Sequence, residues 1–162
     1  MMRPVDAEEQ KNLYSGKKKQ HTKKNLIVIR RSKRIDYLSP TVAGTIHDKK
    51  LADQCGLEYP DDCSLLDDSG FQGYCPENVE ILRPFKKKKG EVLTQYQKSW
   101  NRIVSSVRVG VEHVIRSVKR CRVVQDTIRL ASDGVDDLVM EICCALHNFR
   151  LRINPWAPLP EF

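Results

Sequence analysis

The sequence predicts a mixed α/β domain built on a small sheet, and three observations carry that expectation. Two short β-branched runs, LIVIRR and RIDYLSP, flank a turn at residues 32–34 and read as an antiparallel hairpin. The stretch from Lys98 to Arg122 repeats Val104, Val107, Val111, Val114, Ile115 and Val118 at three- and four-residue steps, one apolar face of a helix. The stretch VDDLVMEICCALHNFRLRI does the same through Val135, Leu138, Val139, Ile142, Leu146, Phe149 and Ile153. No internal repeat occurs, and 162 residues is the size of one domain.

In chain order, residues 1–15 are polar and read as irregular, and SGKKKQHTKK leads into the hairpin. Pro40 ends its second strand, and HDKKLADQCGL reads as a short helix stopped by Gly56. Leu65–Leu66, followed by acids and glycines, reads as a short buried strand delivering Asp67 and Asp68 at its C-terminal end, where ligands bind in α/β sheets. VEILRPF is another strand. Thr94 and Gln97 have capping-box spacing and start the first long helix, with Tyr96, Trp100 and Ile103 extending its apolar side. Residues 126–133 read as a loop or short strand, and Ser132 or Asp133 as the cap of the last helix. The domain boundary falls after residue 154, and 155–162 form a proline-rich, extended tail. The hairpin has nothing before it to pair with, and a two-stranded ribbon is marginal alone, so the sheet reads as short of a strand at its N-terminal end.

Charge is segregated. Residues 16–34 carry nine Lys/Arg and no acid, 51–82 carry eight Asp/Glu and no base, and 83–129 carry thirteen bases and three acids. A net charge of +7 favours a polyanionic partner, most often nucleic acid. No apolar run approaches the roughly 18 residues that span a membrane, and the N-terminus lacks the apolar core of a signal peptide. The six cysteines show no CxxC spacing, so free thiols in a reducing, cytoplasmic compartment are expected rather than zinc.

The candidate acids for metal chemistry are Asp48, Asp67, Asp68 and Glu112. Magnesium takes carboxylate oxygens, and a two-metal phosphodiester centre needs several carboxylates converging from separate elements. The last three have plainer readings. The DDSG stretch could be an acidic turn. Glu112 has Arg108 at i−4 and Arg116 at i+4, the spacing of a salt-bridged helix surface contributing about 0.2–0.5 kcal/mol per pair. Lys17, Lys18 and Lys19 are either a solvated turn or phosphate contacts. The four histidines form no HxH or HxxxH pair and read as structural or DNA-facing; no P-loop, GxGxxG or Ser-His-Asp set occurs.

Five strings in series, RPVDAEEQKNLYSGKKKQHTKKNLIVI, YLSPTVAGTIHD, DSGFQGY, LTQYQKSWNRIVSSVRVGVEHVIRSVKRCRVV and CALHNFR, resemble the catalytic domain of DDE transposases of the bacterial insertion-sequence, Harbinger-like type, over about residues 3–150. The resemblance implies an RNase H-like mixed sheet with flanking helices across residues 1–154, and DNA cleavage and strand transfer at an Asp, Asp, Glu centre holding Mg2+ or Mn2+. By motif, the second Asp is Asp68 and the Glu is Glu112. Arg108, Glu112 and Lys119 match the Tyr-x2-Arg-x3-Glu-x6-Lys signature of insertion-sequence transposases, with Ser105 where the Tyr would stand. Lys17, Lys18, Lys19, Arg108, Arg116 and Lys119 are the expected DNA contacts. Gly44-Thr45-Ile46-His47-Asp48 matches the family's Gly-x-x-His-Asp and reads as a helix start near the site.

The resemblance also implies an Asp-Gly-Thr strand with the first catalytic Asp upstream of the block in which Met1-Met2-Arg3-Pro4 already lies; Asp6 aligns elsewhere. The expectation is therefore a chain lacking that strand and ligand, inactive alone. It is either a decayed element or a second reading frame joined to an upstream product by frameshifting. The alternative is a non-catalytic DNA-binding or regulatory remnant acting with a full-length transposase, cytoplasmic and on the nucleoid when DNA-bound.

Overall fold

A computed structural model of the chain describes residues 14–15, 20–87, 90, 92–124 and 134–161. Lys17, Lys18 and Lys19, the 126–133 segment and its candidate caps Ser132 and Asp133 lie outside these residues. The architecture is mixed α/β. Its strands are β1 (Tyr14–Ser15), β2 (Gln20–His21), β3 (Lys23–Lys24), β4 (Ile27–Ile29), β5 (Ile35–Leu38), β6 (Val42–Ala43), β7 (Cys63–Leu66) and β8 (Val79–Leu82). Its helices are α1 (Asp48–Cys55), α2 (Gln95–Lys119) and α3 (Val135–Ile153). Tyr14–Ser15 thus pairs with Gln20–His21 where the sequence reads as irregular. The described strands form four separate two-stranded pairs.

The expected hairpin is β4 against β5, antiparallel, with a bulge between Val28 and Ile29. Lys33 turns it with φ 67°. Beside it, β3 pairs with β6, where Gly44 donates its N–H to the Thr22 carbonyl at 2.7 Å. The strand carrying Leu65–Leu66 is β7, and it runs parallel to β8 with Leu66 opposite Leu82. Parallel strands need a crossover; here residues 67–78 supply it through a single 3-10 turn, Ser69–Phe71.

Each helix has a local cause. Gly56, in the left-handed region at φ 54°, ends α1. Thr94 and Gln97 form both halves of the capping box that starts α2. The N-cap of α3 is Gly134, φ 78°, with no side-chain cap. Asp136 and Asp137 in its first turn complement the helix dipole; Asp136 pairs with Lys23, and Asp137 accepts from the Thr41 N–H at 2.6 Å.

The core sits where the C-terminal half of α2 and the length of α3 cover the hairpin. Ile35, Val114, Val118, Cys143 and Cys144 are buried together, with Ile27, Ile29, Leu38, Met140 and Trp156 packed around them. Two polar devices lock α3 in place. The Asn148 amide accepts from the Ile35 N–H at 2.9 Å and donates to the Ile35 carbonyl at 2.8 Å, pairing β5 as another strand would. His147, fully buried, meets the Ser117 hydroxyl at 3.0 Å and the Lys33 carbonyl at 2.9 Å. It is a structural histidine.

Of the expected apolar stripe of α3, Val139 packs against the core and Val135 is half-buried, but the other five residues face outward. Leu138, Ile142, Leu146, Phe149 and Ile153 are all exposed, whereas Cys143, Cys144 and His147 are buried. The small thiols and the hydrogen-bonded imidazole fit beneath the hairpin's companions, so the helix turns its bulkier apolar residues away. Tyr96 also differs from expectation: it lies exposed, edge-on to Phe85. The tail is extended and docked: the Leu159 N–H donates to the Arg31 carbonyl at 2.8 Å, and Leu159 covers Gly110, where an added Cβ would overlap its side chain.

Burial, then the hydrogen bond with Cys121, pushes the Cys143 thiol up to about 11, and burial raises Cys144 too. The nucleophilic thiolate is therefore scarce at pH 8. Ellman titration of the native chain should label exposed Cys75 first and leave Cys143 and Cys144 unreactive until denaturation. An added Cβ at Gly44 would come within 2.8 Å of the Thr22 carbonyl oxygen, which is backbone and cannot swing aside. Gly44→Ala should lower stability by about 1–3 kcal/mol in chemical melts, against less than about 0.5 for exposed Ser105→Ala.

Candidate functional site

Successive residues of a strand point to opposite sides, so the paired acids at the end of β7 are sorted by geometry. Asp67 turns to Arg83 at 3.0 Å, and its side chain is only 7% exposed. That partner is legible in the register: Leu66 faces Leu82, so the next pair along is Asp67 and Arg83. Asp67 beside it raises the Arg83 pKa above its ordinary value. Asp68 points the other way, stays exposed, and accepts from Arg108 of α2 at 2.8 Å. Its carbonyl receives the Phe71 N–H at 2.9 Å, which starts the 3-10 turn.

Three contacts near its N-terminus fix α2 relative to β8. Trp100 donates its indole N–H to the Arg83 carbonyl at 2.9 Å, and the Asn101 amide both accepts from the Phe85 N–H and donates to its carbonyl. From that clamp, two turns bring the helix to Arg108 and a third to Glu112. Residues four apart share a helix face, so Glu112 lies one turn, about 6 Å, beyond the residue holding Asp68. Arg108, the i−4 neighbour of Glu112, is engaged elsewhere. Arg108 pairs with Asp68, and Glu112 makes no ion pair with a described residue.

Beyond Glu112 the same helix face opens a groove of about 530 Å³ lined by Glu112, Ile115, Arg116, Lys119, Arg120 and Arg122. An adjoining hollow of about 300 Å³ shares Arg116 and Arg120 and adds Lys33, His113, Ser117 and Trp156. Arg116 and Lys119 thus stand in one cationic groove with Glu112 at its edge. Arg120 and Arg122 escape the sequence reading; Arg120 could have been found at i+4 from Arg116, whereas Arg122 lies past the helix end.

Asp48 stands apart from this groove. Lys24 donates to it at 2.7 Å, and an added Cβ at Gly70 would overlap its carboxylate, so it braces the turn that follows Asp68. Among the described residues no three Asp, Glu, His or Cys side chains converge on one point. The described donors, with Asp68 engaged by Arg108, do not by themselves fit a divalent cation.

Comparison with known proteins bears on this arrangement. The chain is 31% identical over 145 residues to the "Probable transposase for insertion sequence element IS702" of Microchaete diplosiphon, across 90% of this chain and 52% of that protein. It therefore spans about half the length of that relative. No solved structure matches. The model of the DDE superfamily endonucleases matches residues 1–148, and the chain belongs to that family.

Proposed function

We propose that the chain is the DNA-cleaving and strand-transferring domain, or part of it, of an insertion-sequence transposase. The observation that carries the reading is the meeting of Asp68 and Arg108 at 2.8 Å, one helical turn from Glu112 and beside a groove lined with cations. Asp68 and Glu112 are two of the three acids of the centre. They would hold Mg2+ or Mn2+ together with a third donor from outside the described residues. Bound there, the cation would supply charge stabilisation at the attacked phosphodiester. Arg116 and Lys119 hold DNA phosphates, and Arg108 keeps the Asp68 carboxylate turned toward α2. Lys17, Lys18 and Lys19 are further expected contacts to DNA phosphates.

We read the hairpin β4–β5 and the parallel pair β7–β8 as two parts of one RNase H-like sheet. Support comes from their free edges: among the described residues, neither β4 nor β7 has a second strand partner. The strand between them would bring the first acid of the centre. It would come from a full-length transposase or from an upstream reading-frame product. The 162 residues alone are then inactive, cytoplasmic, and on the nucleoid when bound to DNA. No helix among the described residues is long and apolar enough to cross a membrane.

A second reading, a DNA-binding regulator without catalysis, is favoured by one observation: Asp68 is occupied by a cation of the protein itself. Nicking assays separate the two. The purified chain with Mg2+ should leave transposon-end DNA intact, and nicking lost in Asp68→Ala would overturn the inactivity. Adding the upstream product should restore nicking if the domain is catalytic; continued silence favours the regulator.

DNA binding itself should fall steeply with salt. Arg116→Ala and Lys119→Ala should each reduce the slope of log K against log salt by about 1; a flat salt response would sink both readings. The Asp68–Arg108 pair is exposed on both sides, so Arg108→Ala should change stability by less than about 1 kcal/mol. A cooperative melt of that variant near the parent's midpoint is the check.

A further inference from the structure

Helix α3 is apolar on two opposite faces. One carries Cys143, Cys144 and His147 into the core. On the other, Leu138, Ile142, Leu146, Phe149 and Ile153 are 42–70% exposed. At 100° per residue these five fall within an 80° arc, a continuous seam the length of the helix. Seams of this size on a soluble domain mark interaction surfaces. A helix apolar all round is ordinarily covered on every side, and among the described residues nothing covers this side.

We propose that the seam binds a second copy of this chain, α3 against α3, antiparallel about a two-fold axis. The sequence of the seam is complementary to itself in that register. With the axis between residues 145 and 146, Leu138 meets Ile153 of the other copy, Ile142 meets Phe149, and at the axis Leu146 meets Leu146 on one edge and Ala145 meets Ala145 on the other. Ala145 is exposed and small, so the helices can approach closely at the crossing. Charge agrees. Glu141 and Arg152 lie along the same edge of the seam, 100° and 80° from Ile142. A two-fold axis sets each edge against its own counterpart, so Glu141 of one copy lies within reach of Arg152 of the other. A parallel pairing would set opposite edges together, so Glu141 and Arg152, which share one edge, would not face each other. The seam lies opposite the face that packs on the hairpin, so this pairing uses none of the residues of the DNA-cleavage reading.

Sedimentation equilibrium of the full chain tests the proposal without DNA or metal. A monomer–dimer equilibrium is expected. Truncating the centre of such an interface weakens it at least roughly thirtyfold, so Ile142→Asp should shift the chain to monomer with its melting midpoint held. Glu141→Arg and Arg152→Glu should each weaken the dimer, and the two together should restore it, which a mere loss of folding could not do. Leu146→Cys should cross-link to itself, whereas Leu138→Cys should cross-link only to Ile153→Cys. A monomer at hundreds of micromolar would overturn the proposal and leave the seam to a different protein segment. So would a dimer that ignores Ile142→Asp and the charge exchange.

Discussion

The rest of the structure depends on the register of α2. It is a single rod of 25 residues, about 37 Å long, and it touches both the β4–β5 hairpin and the chain leaving the parallel pair β7–β8. Asn101 and Trp100 clamp one end to the chain leaving β8. Val114 and Val118 sink the other end into the core over the hairpin. Rotating the rod by one residue, about 100°, would break the clamp and bury charge at once. The azimuth of Arg108 and Glu112 is therefore set by apolar packing at one end and by backbone hydrogen bonds at the other. The site inherits its geometry from contacts that have no part in its chemistry.

The same logic sorts the acids. Neighbouring carboxylates repel, and Asp67 and Asp68 are kept apart by the pleat of the strand and by separate arginines. Arg83 neutralises the less exposed one, and Arg108 faces the more exposed one. The pair is thus a largely buried acid held by Arg83 next to an exposed acid held by Arg108. Asp48, from a third element, supports the following turn without joining them.

Much of this was legible in the sequence because it depended on local rules. The hairpin, the Gly56 stop, the capping box and the strand ending in two acids all follow from turn chemistry and short-range spacing. Periodicity also located α3, yet it misjudged which side of α3 is inside. A 3–4 repeat reports that a face is apolar, and α3 has two such faces; thiols and a satisfied imidazole made the buried one look less apolar than the exposed one. The sorting of Asp67 from Asp68 was hidden for a different reason. It rests on a parallel register between strands that the sequence does not declare, and once that register is known the Arg83 partner follows. The Asp68–Arg108 contact spans 40 residues of sequence, and only the resemblance of motifs had linked those positions.

Gly110 shows how two demands meet at one atom. Glycine inside a helix costs about 1 kcal/mol relative to alanine, and α2 accepts it at mid-length because Leu159 occupies the space a Cβ would take. The longest helix is thereby notched, and the far end of the chain is the key that fits the notch. Local helix strength and closure of the tail are opposed at this position, so drift toward a better helix would loosen the last residues. The order of the C-terminal segment, and with it the edge-on contact of Trp156 with His147, is written into a residue 49 positions upstream (159 − 110).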